Sequence, residues 1–259
     1  MSAAAFADLG FVSYVSAWQA QRSLHDRRAR EEMGDVVLFC EHAPVITMGK
    51  SGKSQNLLIS PAELQRRGVD YFEVERGGDL TFHGPGQLVG YPIFKLARLR
   101  EVQGFVRKME AAIIASIGAF GLRGEQRSDH AGVFVGGAKI ASIGAAVRSG
   151  VTFHGFALDV CTDLEYYRLI NPCGMPDVAV TTMSREAGRH ISVADVKPHM
   201  RAALESAFGI ELRDAALAPD IAAEASEPSR PIAERSAESG SGRPLRSTDQ
   251  RVATAKASA

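Results

Sequence analysis

The stretch from Arg76 to Ile93, "RGGDLTFHGPGQLVGYPI", constrains this chain more than any other, because it sets glycines, prolines, an arginine and a histidine among residues that otherwise read as strand. Glycine at this density weakens a strand and lets the backbone turn through positive φ or approach a ligand closely. The stretch reads either as a plain glycine-rich turn or as a binding loop, and composition alone leaves both open.

The surrounding patterns define the elements that hold it. Over 13–32, Tyr14, Trp18, Gln21 and His25 share a helical stripe, which predicts an opening amphipathic helix. "VVLFC" (36–40) and "APVITMG" (43–49) read as core strands, and "SPAELQRRG" (60–68) carries the serine cap, first-turn proline and closing glycine of a short helix ahead of the strand "DYFEVE". The segment 103–121 sets Phe105, Met109, Ala112, Ile113, Ile117 and Phe120 on one face and predicts a second helix. Strands of an antiparallel or mixed sheet follow at 131–137, 139–147 and 152–160, and a last helix at 192–209, capped by Ser192 despite Pro198. Beyond Leu217 the chain turns to Ala, Ser, Pro, Glu and Arg with almost no aromatics, too little apolar surface to offset ordering entropy. The expectation is one domain over 1–217 and a disordered tail over 218–259.

The 259 residues carry 30 basic and 30 acidic side chains, so no overall charge points to a nucleic acid or a membrane surface. The N-terminus lacks a basic leader ahead of a clean apolar stretch, no run reaches membrane-spanning length, and the three cysteines, Cys40, Cys161 and Cys173, have no disulfide spacing. These features fit a soluble cytoplasmic protein.

Two familiar chemistries fit poorly. "GKSGKS" (49–54) ends like a phosphate loop, but the glycine required five residues earlier is replaced by Pro44 and Thr47. Cys40, His42, His83 and His154 lack the paired spacing of a zinc site. Three residues stay open as candidates. Lys139, in "GGAKIASIG", falls by simple alternation on the side of Ala141 and Ile143; it is an edge-strand lysine, or an amine in an apolar setting that takes and returns a proton near neutral pH. His154 is a ligand, a base or a satisfied strand histidine. Cys173 is a small buried hydrophobe, or an accessible thiol on the tight turn that Pro172 and Gly174 favour.

Together these stretches resemble the octanoyl-[acyl-carrier-protein]:protein N-octanoyltransferases. The likeness lies in "RGGDLTFHGPGQLVGYP" and, in order, "EHAPVITMGK", "GGAKIASIG", "FHGFALDV" and "NPCGMPDVAVTTMSRE", spanning about Gly10 to Phe208. It implies an α+β fold like that of lipoate and biotin protein ligases, a mixed sheet flanked by helices. It also implies that Cys173 carries the acyl group as a thioester, with Lys139 as its proton partner. The substrate would be lined by Arg76, Gly77, Gly78, Asp79, Leu80, Thr81, Phe82 and His83, by Ser142, Ile143 and Gly144, and by Gly155, Phe156 and Ala157. The implied partners are octanoyl-acyl carrier protein, whose phosphopantetheine arm holds the donor, and lipoyl domains of 2-oxoacid dehydrogenase complexes and the glycine cleavage H protein. No cofactor, ATP or metal is expected, and neither a nucleic acid nor a membrane as partner. One departure stands out: the family usually has asparagine where this chain has Asp159, a mild change for a local hydrogen bond but a weighty one for a carboxylate facing the pocket.

Overall fold

The computed structural model describes residues 2–98, 101–128, 130–172, 178–217 and 219–226. All of them belong to the first of the two units into which the chain divides, Met1–Ser229 and Arg230–Ala259. The chain opens on strand β1 (Ser2–Val12), helix α1 (Tyr14–Ala29) and strands β2 (Val36–His42) and β3 (Val45–Met48). Helix α2 (Pro61–Arg66) leads to strands β4 (Asp70–Glu73), β5 (Leu80–His83) and β6 (Gln87–Ile93), and then to helix α3 (Val102–Gly118). Strands β7 (Glu125–Gln126), β8 (Gly132–Val135), β9 (Ala138–Arg148) and β10 (Val151–Asp159) precede helices α4 (Met183–Ala187) and α5 (Val193–Phe208). Strand β11 (Ile210–Asp214) and helix α6 (Pro219–Ser226) complete the order.

Eight strands form one mixed sheet in the order β11-β1-β2-β6-β10-β9-β8-β7, and β4-β3-β5 form a small second sheet. Strand alternation divides the core between the two faces of the large sheet. In β2, Val37 and Phe39 join Leu88, Phe156 and Leu158 against Met109, Ile113, Met200 and Leu204 of α3 and α5. Val36, Leu38 and Cys40 face the other way, with Val89, Tyr91 and Ala157, against Ala17, Ala20 and Leu24 of α1. The result is a mixed sheet between two helical layers, the expected α+β class.

The helices start where their caps are written. Ser13, Ser60, Thr182 and Ser192 each accept a backbone N–H in the first turn, and Ser192 with Asp195 closes a full capping box. Strands β1 and β11 were not foreseen: β1 mixes exposed and buried residues, and it is defined by parallel pairing to β2 on one side and β11 on the other. The stretch 76–93 is also not one loop. From Leu80 onward it holds two strands buried along their whole length, and Gly90 lies under the Phe156 ring, where a Cβ would collide. The expected tail boundary moves as well. Helix α6 begins inside the stretch expected to be disordered, and its Ile221 is buried in the α1 side of the core with Leu24 and Val36. Leu217 and Ala225 pack beside it.

Candidate active site

The loop Arg76–Asp79 is folded against two neighbours. Gly49, Lys50 and Ser51 donate their backbone N–H groups to the carbonyls of Asp79, Arg76 and Gly78, and Gly77 donates to Ala145 of β9 at 3.0 Å. The amides of the "GKS" turn are therefore engaged with backbone carbonyls, not held open for a phosphate. The Arg76 guanidinium is buried on Thr47, donating to its carbonyl at 2.6 Å and its hydroxyl at 2.9 Å. Asp79 accepts from Lys53 N, from Leu80 N and from Asn56 Nδ2. A Cβ on Gly144 would stand 2.9 Å from Arg76 Cδ and 3.0 Å from the Gly77 carbonyl, so only glycine fits there without a shift.

Strand pairing brings the other predicted segments together. Gly144, Ile143 and Ser142 on β9 lie directly opposite Gly155, Phe156 and Ala157 on β10. With Arg76, Gly78, Thr81 and His83 these residues line a cavity on the α1 side of the sheet, about 450 Å³ including its mouth. Tyr14, Val89, Tyr91 and His154 complete the lining. Of these, Tyr14 shows in the sequence only as part of a helix stripe. Val89 and Tyr91 stood inside the quoted stretch, where alternation from Gln87 would have flagged them. Leu80 and Phe82 do not line the cavity: they alternate with Thr81 and His83 and fill the core under the small sheet. Gly77 and Asp79 line an outer groove instead, with Lys53, Asn56 and Lys139. Cavity and groove meet at Gly78, Ile143 and Gly144.

Buried polar groups fix the electrostatics. The Thr81 hydroxyl has no hydrogen-bond partner among the described residues, which leaves a donor for a ligand. Gln87 Nε2 donates to the Phe82 carbonyl at 3.1 Å and to Asp159 Oδ1 at 2.8 Å. A backbone carbonyl only accepts, so the amide is oriented with Oε1 toward His83 Nδ1, 2.8 Å away. His83 therefore carries its proton on Nδ1, and burial pushes its imidazole down to about 3. Burial likewise pushes His42 to about 4 beside Tyr91. His154 has φ of 57°, an uncommon left-handed value for a non-glycine, and its Nε2 lies 3.4 Å from Glu75. The hydrogen bond from His154 and the Arg22 guanidinium hold the Glu75 carboxyl well below the usual range. Asp159 is not a lining residue: Tyr167 Oη donates to its Oδ2 at 3.0 Å, and burial pushes its carboxyl up to about 6.

Lys139 is buried at the start of β9, with its Nζ 6.0 Å from the centre of the Phe134 ring. The register between β8 and β9 slips here, pairing Val133 with Ala141 but Phe134 with Lys139. Successive residues Ile140 and Ala141 both enter the main core, so the alternation that put Lys139 on the side of Ala141 does not hold through this bulge. The Lys139 backbone is held at both ends, N–H to Ala179 and carbonyl from Thr181. Cys173 lies outside the described residues. Upstream of it, Asn171 N–H donates at 2.8 Å to the Asn56 carbonyl, on the wall of the same groove. Among the described residues no three His, Cys, Asp or Glu side chains gather to hold a metal ion, and no helix is long and apolar enough to cross a membrane.

The family of the lipoyl protein ligase A/B catalytic domain matches residues 13–205. The lipoate-protein ligase A structure bound with ATP superposes with a TM-score of 0.68 at 14% identity, covering 86% of this chain and 92% of that one. The bi-partite lipoate protein ligase of Thermoplasma acidophilum gives 0.69 at 15% identity, covering 87% and 91%. At the sequence level the relatives are octanoyltransferases: that of Koribacter versatilis is 46% identical over 74% of this chain and 78% of its own length, and that of Chloroflexus aurantiacus 43% over 81% and 96%. The chain spans 44% of the longer Porphyromonas gingivalis octanoyltransferase, at 42% identity over 79% of its own length. It belongs to the octanoyltransferase family of acyltransferases.

Proposed function

We propose that this protein moves an octanoyl group from acyl carrier protein to a lysine of lipoyl domains through a thioester on Cys173. The observation that carries the reading is that the cavity beside the paired glycines Gly144 and Gly155 and the groove that holds Lys139 share Gly78, Ile143 and Gly144 in their walls. Thiolate attack on the donor carbonyl forms a new thioester and expels the pantetheine sulfur, which takes a proton from the Lys139 ammonium. The acceptor amine then attacks octanoyl-Cys173, gives up a proton to Lys139, and leaves an amide and the Cys173 thiolate beside the restored ammonium. Exchange between thioesters is nearly balanced and thioester to amide is downhill, so neither ATP nor a metal enters. The turn after Arg76 and the strand pair at Gly144 and Gly155 supply backbone N–H groups near the carbonyl. Lipoyl domains of 2-oxoacid dehydrogenase complexes and the glycine cleavage H protein are the acceptors in this reading.

Intact-protein mass spectrometry after incubation with octanoyl-acyl carrier protein tests it. One octanoyl adduct is expected on the wild type and none on Cys173→Ala; an adduct persisting on that variant overturns the nucleophile. Transfer to a lipoyl domain should proceed without ATP and fall on the order of a hundredfold in Lys139→Ala.

A further inference from the structure

The cavity has an end as well as a mouth. It shares Ile143 and Gly144 of β9 with the groove, passes His154, Gly155 and Ala157 of β10, and reaches Val89 and Tyr91 of β6, while no described residue of β2, the next strand, lines it. From β9 to β6 is two strand spacings, roughly 10 Å, about the reach of an extended octanoyl chain. Tyr91, at the β6 end, is buried and held in place. Its Oη lies 2.7 Å from His42 Nε2, and His42 Nδ1 lies 2.9 Å from the Val12 carbonyl. A carbonyl only accepts, so Nδ1 holds the imidazole proton and Nε2 accepts from the Tyr91 hydroxyl. Cys40 Sγ stands farther from the same nitrogen, at 3.4 Å. Burial keeps the His42 ring neutral at physiological pH, which preserves that lone pair. Three neighbouring strands, β1, β2 and β6, thus fix one aromatic ring at the end of the cavity. The Tyr14 ring, also in the lining, packs edge-on to His42 at 5.3 Å.

We propose that Tyr91 determines the length of acyl chain this enzyme accepts, standing as the end wall of the cavity, and that His42 is the positioning residue that holds it there. The inference rests on the acyl-transfer reading above and deepens it. A phenol ring tethered in this way cannot turn aside for extra methylene groups without leaving its hydroxyl and the His42 lone pair unpaired out of water, a cost that falls on every chain longer than the cavity. An untethered ring of the same size would lose packing alone. The wall therefore discriminates through its hydrogen bond as well as through its bulk.

The test is kcat/KM for transfer to a lipoyl domain from acyl carrier protein loaded with hexanoyl, octanoyl, decanoyl or dodecanoyl groups, in the full-length wild type, Tyr91→Ala, His42→Phe, the double variant and Leu24→Ala. One methylene too many at a packed wall is worth about tenfold or more in rate, so the wild type should fall steeply from octanoyl to dodecanoyl. The ratio of dodecanoyl to octanoyl rates should rise on the order of a hundredfold in Tyr91→Ala and about tenfold in His42→Phe. The double variant should match Tyr91→Ala, because His42 acts through the ring. Leu24→Ala, which thins the same core at a residue outside the cavity lining, should keep the wild-type ratio. An unchanged ratio in Tyr91→Ala, or a uniform fall for every chain, overturns the end wall. An unchanged ratio in His42→Phe, or an equal rise in Leu24→Ala, overturns the tether. In each of these cases octanoyl transfer by the wild type leaves the transfer reading standing. If the wild type transfers no octanoyl group, that reading fails and takes the inference with it.

Discussion

Asp159 lowers the stability of the fold at neutral pH. A carboxyl whose ordinary value of 3.8 is pushed up to about 6 by burial binds its proton more tightly in the folded chain than in the unfolded one. Its contribution is fully present below about pH 4 and is lost as pH rises through about 6, a loss of roughly 3 kcal/mol. Asp159→Asn should therefore unfold at higher denaturant than wild type at pH 8 and at nearly the same denaturant at pH 4, measured by urea titration. Equal gaps at both pH values would show that the carboxylate is not titrating in this range. Gly144 is decisive for shape where Asp159 is decisive for charge. Gly144→Ala pushes a methyl group toward Arg76 Cδ and the Gly77 carbonyl, displacing the loop at the junction of cavity and groove. Octanoyl transfer should fall roughly tenfold or more with the melting temperature little changed, because sub-ångström misplacement is felt at a reacting centre more than in a fold.

At the scale of elements, the helices and the catalytic strands differ in how much of them is local. Helix α5 begins at Ser192, whose hydroxyl accepts from Asp195 N while the Asp195 carboxylate accepts from Ser192 N. Ser192→Ala should cost about 1 kcal/mol, read as a shift in the urea midpoint with no change in m-value. Serine, proline and glycine punctuation made α2 and α5 legible from sequence, because a cap is a contact between residues three apart. The bulge in β9 was not legible. It depends on how β8 slides against β9, a long-range pairing that alternation within one strand cannot reveal. For the same reason β1 and β11 escaped notice, each defined by a partner far away in the chain.

For the whole molecule, helix α6 carries the packed core past Leu217 through Ile221. A chain ending at Leu217 loses Ile221 from the α1 side of the core, a burial of about 2 kcal/mol. It should melt several degrees below a chain ending at Ser229, by calorimetry; identical melting would show that α6 contributes nothing. The sequence by itself determined helices α1, α2, α3 and α5 and most of the central strands, because periodicity, caps and the order of the motifs are properties of neighbouring residues. Tertiary structure alone decided that Gly144 faces Gly155, that Thr81 and His83 line the cavity while Leu80 and Phe82 do not, and that Lys139 is buried at a bulge. Those facts come from register between strands distant in the chain, and register is fixed by which buried surfaces fit, not by any one segment.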